Sequence, residues 1–215
     1  MGHGAIAEAS DDDGQPMDPN VWGPPLWDFL FCMCFKSPDT CALDMQHLFI
    51  LLESVMPCSH CRRSYAMYRK QIRPVATIRA DRPDSSARWL WTIHDMVNQK
   101  LGKICISYDK LSKRHAGTTM ITNDMTVLDV LCMIALSVKR SQRDKAVSFV
   151  QTTLRVLKET SPVFVLPDVA EECQVASETT LLEDLWRLSN SLRSRYRLPE
   201  QDMPTFLAQY QKCYA

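Results

Sequence analysis

Met56-Pro57-Cys58-Ser59-His60-Cys61 carries the strongest indication of fold class and chemistry in this 215-residue chain. Two cysteines separated by two residues, here called the cysteine pair, can form a disulfide that opens and re-forms easily, or half of a metal site. Pro57 ends the helical pattern before it and lets a new helix start near Cys58. The positive end of that helix favours a thiolate, which is the reactive form of cysteine.

Apolar residues recur with helical spacing on both sides of the pair. The spacing predicts four helices, at about 22–35, 43–55, 58–72 and 86–101. Asn20 is a candidate cap of the first helix, and Gly102 is a natural stop for the fourth. Only short Val/Ile stretches near 75–78 and 104–106 suggest strands. The sequence therefore predicts an all-α fold built on an up-and-down four-helix bundle.

The second half of the chain also has helical patterns. They predict helices at about 123–140, 142–159 and 179–196, and a last helix from about 204. An extended piece is expected at 163–166, between two prolines. We predict that residues 1–18 form a disordered acidic tail, that 19–115 form one domain and that 120–215 form a helical C-terminal domain. Dimerisation and substrate docking are the candidate roles of this last domain.

Composition argues against several classes of function. Lysine and arginine total 25, as do aspartate and glutamate, so the formal net charge is zero and no nucleic-acid footprint stands out. No apolar run approaches the ~18 residues of a membrane span. Residues 1–18 lack the pattern of a signal peptide. We expect no nucleic-acid partner and no membrane span, in a protein that works where it is made or enters a compartment by an unusual route.

Three kinds of site could use the cysteine pair. A zinc site needs four ligands, which Cys32 and Cys34, or His60, could complete, but no second pair has zinc-finger spacing. A thioredoxin-like fold needs a strand just before the pair, where the pattern is helical. The third kind is a helical flavoprotein disulfide oxidase. His94 and Asn98 favour it, because on a helix they share one face and could offer a flavin a polar platform.

Three blocks carry a resemblance to a known family. They are, in chain order, Trp22-Gly23-Pro24-Pro25-Leu26-Trp27, Pro57-Cys58-Ser59-His60-Cys61 and His94-Asp95-Met96-Val97-Asn98-Gln99-Lys100-Leu101-Gly102-Lys103. In order and spacing they resemble the Erv/ALR family of FAD-dependent sulfhydryl oxidases, over roughly residues 18–112. The opening block is most similar to versions carried by large cytoplasmic DNA viruses.

The resemblance implies a four-helix bundle with a short fifth helix that holds FAD beside the cysteine pair, with no metal. The residues implied to bind the cofactor are Gly23, Pro24, Trp27, Phe31, His94, Val97, Asn98, Lys100, Lys103 and Tyr108. Phe31 stands where the family usually has a histidine, and Cys105 has no clear partner for the structural disulfide common in the family. Cys32 and Cys34 have the spacing of a shuttle pair, although two cysteines two apart point to different faces of a helix.

The implied reaction transfers electrons from substrate thiols to O2 and makes hydrogen peroxide. We expect Cys58 to be the more exposed cysteine and to exchange with substrate thiols, and Cys61 to face the flavin. The implied partners are a thiol-containing protein substrate or a partner oxidoreductase, and a second copy in a homodimer. A viral protein would act in the host cytoplasm and in the virion, and the alternative is the mitochondrial intermembrane space. The competing interpretation is a non-enzymatic helical interaction protein whose cysteine pair binds zinc or is inert.

Overall fold

The computed structural model describes residues 18–116, 123–160 and 180–211. Helices are the regular secondary structure throughout these ranges, which confirms the all-α class. The predicted tail over 1–18, apart from Asp18, and the extended piece at 163–166 lie outside the described residues. Among the described residues, no helix is long and apolar enough to cross a membrane.

The predicted helices correspond closely to observed ones. The helices of residues 18–116 are α1 (Pro19–Lys36), α2 (Ala42–Val55), α3 (Ser59–Gln71), the one-turn α4 (Pro74–Thr77), α5 (Ser85–Lys100) and α6 (Tyr108–Ala116). Those further along the chain are α7 (Asn123–Ser137), α8 (Arg143–Glu159), α9 (Leu181–Arg195) and α10 (Met203–Gln211). The two suggested strands were wrong, because 74–77 form α4 and 104–106 have no regular structure.

The ends of α1 and α5 show how local chemistry sets helix boundaries. Asp18 caps α1, with its Oδ1 accepting hydrogen bonds from the Asn20 backbone N–H at 2.9 Å and from Asn20 Nδ2 at 3.0 Å. The predicted Asn20 cap was wrong, because a carboxylate two residues earlier already takes the free amide of the first turn. Gly102 follows α5 with a φ of +64°, the left-handed conformation that glycine adopts readily, so the predicted stop is confirmed.

One hydrophobic core joins the helices of both halves. α2 packs mainly against α8, and α1 packs against α5, α6 and α7. Phe49 on α2 and Phe149 on α8 are both fully buried, and Arg155 of α8 is paired with Asp44 of α2 at 2.9 Å. The division at 115–120 stays a prediction, but the helices on either side of it share this core. α2 leads directly into the cysteine pair, so α8 supports the segment that carries the chemistry.

Candidate functional site

The cysteine pair lies at the N-terminus of α3 and is a disulfide, with the two Cα atoms 5.1 Å apart. Cys58 is the cap residue of the helix, and its Sγ accepts a hydrogen bond from the Cys61 backbone N–H at 3.1 Å. Arg62 Nη1 donates to the Met56 carbonyl at 2.6 Å and fastens the segment before the helix. A sulfur at this position meets free backbone N–H groups and the positive end of the helix, so the arrangement favours a thiolate when the disulfide is reduced.

The two cysteines differ in exposure, in the order opposite to the one expected. Cys58 is 7% exposed, whereas Cys61 is half-buried, so the prediction that Cys58 is the more exposed residue was wrong. Cys58 follows Val55, Met56 and Pro57, all buried, because the crossover from α2 to α3 packs into the core. The division of roles between the cysteines stays a prediction.

The other candidate uses of cysteine find less support in the geometry. Within residues 18–116, 123–160 and 180–211, no three His, Cys, Asp or Glu side chains group as a bound metal ion would require. Cys32 and Cys34 are both buried in α1, and burial raises the pKa of the Cys34 thiol far above its usual range. A thiol with so high a pKa does not supply the thiolate that a shuttle needs.

Helices α1, α5 and α6 bring six ring side chains together, here called the aromatic cluster. Its members are Trp27, Phe31, Phe35, His94, Tyr108 and His115. The His94 ring lies edge-on to Trp27, with centroids 4.6 Å apart, and edge-on to Phe31 at 5.5 Å. Three of the predicted cofactor residues, two on α1 and one on α5, are therefore in contact.

The polar end of α5 lies beside these rings. Asn98 is buried, and its side-chain Nδ2 lies 3.5 Å from the His94 ring. The backbone carbonyl of Asn98 accepts a hydrogen bond from the backbone N–H of Lys103 at 2.9 Å. Burial lowers the pKa of His94 and the positive charge of Lys103 lowers it further, while Asp95 and Asp28 oppose the shift. Near neutral pH His94 is therefore an uncharged ring that can both donate and accept a hydrogen bond.

Lys100 connects this end of α5 to the helix of the cysteine pair. Its Nζ donates to Ser64 Oγ at 2.6 Å and lies 3.2 Å from His60 Nε2. These contacts hold the first two turns of α3 against α5 and place a positive charge beside the helix that starts at the pair. The predicted contact of Lys100 with the cofactor stays a prediction.

The remaining predicted residues are spread more widely. Gly23 is buried, and a Cβ added there would meet nothing within 4 Å, so close packing does not explain this glycine. Pro24 is exposed and Val97 is half-buried. Tyr108 stacks near Phe35, and the Arg88 guanidinium lies 4.1 Å from its ring centroid. Burial raises the pKa of Tyr108 to about 12, Asp84 adds to this rise, and Arg88 opposes it.

Two further rings of the cluster, His115 and Phe35, are not among the predicted site residues, and they stack 5.5 Å apart with planes 10° from parallel. The resemblance implied a short fifth helix without giving its residues, and the apolar spacing was not used to place one over 108–116, so the inward face of α6 was not recognised. A signal was present, because Tyr108, Leu111 and His115 recur with the spacing of one helix face.

These residues fit FAD, which has two heteroaromatic rings and a negatively charged pyrophosphate. The half-buried rings of Trp27 and His94 and the buried amide of Asn98 suit a planar polar ring system. The exposed Lys103 side chain makes no hydrogen bond or ion pair with the part of the chain that is described, and could meet a phosphate. His115 Nε2 is buried and has no hydrogen-bond partner there.

The two histidines of the aromatic cluster predict a loss of stability in mild acid. Burial lowers the pKa of both, so as pH falls below their ordinary value of 6.5 the unfolded chain binds protons first. The stability they contribute is present above pH 6.5 and is lost as pH falls through the folded-state pKa values. We expect the urea concentration at the unfolding midpoint to be lower at about pH 5.5 than at about pH 7, and the decrease to be smaller in His115→Phe. Equal falls in both proteins would contradict this assignment.

Comparison with protein families places this geometry in context. Residues 24–116 match the model of the Erv1 / Alr family, and this span holds the cysteine pair, the aromatic cluster, Lys100 and Lys103. Comparisons with curated proteins and with solved structures found no significant match. The match covers less than half of the chain, and it supports a likeness of residues 24–116 to the Erv1 / Alr family, a family of sulfhydryl oxidases.

Proposed function

We propose that the chain is an FAD-dependent sulfhydryl oxidase that forms disulfides in a thiol-containing protein and reduces O2 to hydrogen peroxide. The observation that carries this proposal is the Cys58–Cys61 disulfide at the N-terminus of α3, within the residues that match the family. The aromatic cluster supports it, because His94 lies on α5, which packs both against α3 and against α1, the helix of Trp27.

The chain's own part of the reaction is thiol–disulfide exchange. A substrate thiolate attacks one sulfur of the pair, forms a mixed disulfide and releases the other sulfur as a thiolate. A second substrate thiolate then attacks the substrate sulfur of the mixed disulfide, which yields the substrate disulfide and the reduced pair. Two substrate thiols thus lose two electrons to the pair and two protons to solvent. We assign the exchange to Cys58 and the cofactor side to Cys61.

The start of α3 supports the second step of this exchange. The Cys61 N–H that donates to Cys58 Sγ stabilises negative charge on that sulfur, which makes Cys58 a better leaving group when the second substrate thiolate attacks the mixed disulfide. His60 and Lys100, both exposed, place polar and positively charged groups beside the same helix end. Thiolates that approach the pair therefore meet a favourable local charge.

The aromatic cluster and the end of α5 would hold the cofactor. Trp27, Phe31 and His94 would pack on a ring, Asn98 would hydrogen-bond its polar edge, and Lys103 would meet the pyrophosphate. The chemistry that FAD would supply there is two-electron acceptance from the reduced pair and reduction of O2 to hydrogen peroxide. Tyr108, at the far end of the cluster, would pack near the adenine.

A visible absorption spectrum of the purified protein tests the proposal. We expect flavin bands that bleach when dithiothreitol is added under nitrogen and that return in air, because electrons pass from thiol to flavin to O2. Oxygen uptake with a dithiol substrate, and peroxide formation in equal amount, complete the measurement. A colourless protein that stays colourless with added FAD and contains stoichiometric zinc would overturn the proposal in favour of a zinc-binding interaction protein.

We also propose a homodimer and a location. The resemblance to Erv/ALR proteins supports the dimer, which sedimentation of the full chain would detect. We place the protein in the host cytoplasm and the virion rather than in the mitochondrial intermembrane space. This location is supported by the likeness of the opening block, Trp22-Gly23-Pro24-Pro25-Leu26-Trp27, to viral versions. The proposed partner is a thiol-containing protein, either the final substrate or an intermediate oxidoreductase.

A further inference from the structure

His115 is a buried histidine whose surroundings do not account for it. It lies on α6, is 5% exposed, and its ring sits 5.8 Å from Phe31 and 5.5 Å from Phe35. Its Nε2 atom is buried and has no hydrogen-bond partner among the described residues. A buried polar atom without a hydrogen-bond partner lowers the free energy of unfolding, so its presence calls for an explanation other than the packing of the chain itself.

Packing against the neighbouring rings does not require an imidazole. Both ring contacts of His115 are with phenylalanines, and a phenyl ring would make them equally well. The nearby charges do not require it either. Asp28 forms an ion pair with Arg114 at 3.3 Å. Its negative charge affects the pKa of His115 by electrostatic attraction without a hydrogen bond to the ring.

The protonation state of His115 suits a hydrogen bond to an uncharged polar ring edge. Burial lowers its pKa, and Arg114 and Lys36 lower it further against the opposing effect of Asp28. Near neutral pH the ring is neutral, with one nitrogen as donor and the other as acceptor. Phe31, which touches His115, also touches His94 and Trp27, so His115 belongs to the same cluster as the residues that fit a cofactor ring.

We infer that His115 Nε2 makes a buried hydrogen bond to one of the two heteroaromatic rings of FAD. The inference rests on the proposed function, because that function supplies the cofactor. The shared chemistry is a planar ring with nitrogen and oxygen atoms at its edge, which both the isoalloxazine and the adenine have. The α6 histidine is then a binding residue that the three sequence blocks do not contain.

Replacement of His115 separates this role from a structural one. We expect His115→Phe to keep or raise the thermal midpoint of the full chain without added FAD, because the unpartnered atom is gone. The same variant should bind FAD about tenfold more weakly, measured as flavin released from the diluted holoprotein. His115→Gln, whose amide can replace Nε2, should recover most of the affinity. His47→Phe is the matched control, since His47 is exposed on α2 and should leave FAD affinity unchanged.

The spectrum identifies which ring His115 binds. A contact with the isoalloxazine would shift the visible bands of the bound flavin in His115→Phe, whereas a contact with the adenine would leave the bands in place and weaken binding of ADP. Either result supports the inference. Wild-type affinity and an unshifted spectrum in His115→Phe, with unchanged ADP binding, would overturn it. Failure of the wild-type chain to bind FAD would instead overturn the proposed function.

Discussion

Replacing Cys58 or Cys61 with serine is expected to abolish oxygen-dependent thiol oxidation. Each substitution removes one sulfur of the disulfide at the start of α3, so no electron pair can be stored between substrate and cofactor. We expect turnover to fall by about a thousandfold or more, the scale seen when an enzyme loses its nucleophile. Oxygen uptake with a dithiol substrate measures this loss, and the visible spectrum verifies that the variants still bind flavin.

Cys105→Ser is the matched control for this experiment. Cys105 is exposed, lies in the segment after α5, and has its Sγ 3.9 Å from the Asp95 carbonyl. We expect it to keep the wild-type rate, because it has no place in the exchange.

The same two variants test the division of roles between the cysteines. In Cys61→Ser the remaining Cys58 should trap a substrate thiol as a stable mixed disulfide when the protein is incubated with an oxidised substrate, whereas Cys58→Ser should not. Mass spectrometry of the intact chain detects the adduct. Trapping on Cys61 alone would reverse the assignment, in line with the greater exposure of Cys61. Full turnover in either variant would mean that the pair is not the redox centre.

Phe149→Ala on α8 is expected to lower the free energy of unfolding by about 3–5 kcal/mol. The phenyl ring is fully buried in the core that α8 shares with α2, and its removal leaves a cavity. Such a loss is a large fraction of the roughly 5–15 kcal/mol that stabilises a typical protein. Urea unfolding followed by circular dichroism measures it.

Ser148→Ala, the neighbouring position, controls for the substitution itself. Ser148 donates to the Asp144 carbonyl within its own helix, so we expect a change within about 0.5 kcal/mol. A small effect of Phe149→Ala would show that α8 does not contribute to the common core. Truncation after residue 116 tests the same contribution by removing α8 altogether, because it exposes the face of α2 that packs against α8.

The packing of α8 against α2 also connects Phe149 to the cysteine pair. α2 ends at Val55, and the buried Met56 and Pro57 lead straight to Cys58. Loosening α8 would loosen α2 and the crossover that positions the pair. We therefore expect Phe149→Ala to lower flavin content at temperatures near its unfolding midpoint, with the pair itself unchanged.

Local patterns predicted most of the helices and the position of the cysteine pair at the start of one of them. The apolar spacing placed α1, α2, α3 and α5 within a few residues, because a buried helix face must repeat every three to four residues. Pro57 and the two cysteines marked the start of α3 for an equally local reason, since a proline and a capping side chain act within one turn. The α1 cap was misplaced by two residues, because Asp18 and Asn20, on either side of Pro19, are both polar residues that can cap a helix.

The order and spacing of residues are enough to establish the all-α class, the position of the cysteine pair at a helix start and the likeness of three blocks to one family. Only the packing of distant segments shows that Cys58 is buried and Cys61 is half-buried, that α8 packs against α2, and that His115 lies against Phe31 and Phe35. Helix periodicity and capping depend on residues a few positions apart, so they can be read along the chain. Burial and ring contacts depend on which distant segments pack together, and no local pattern records that choice.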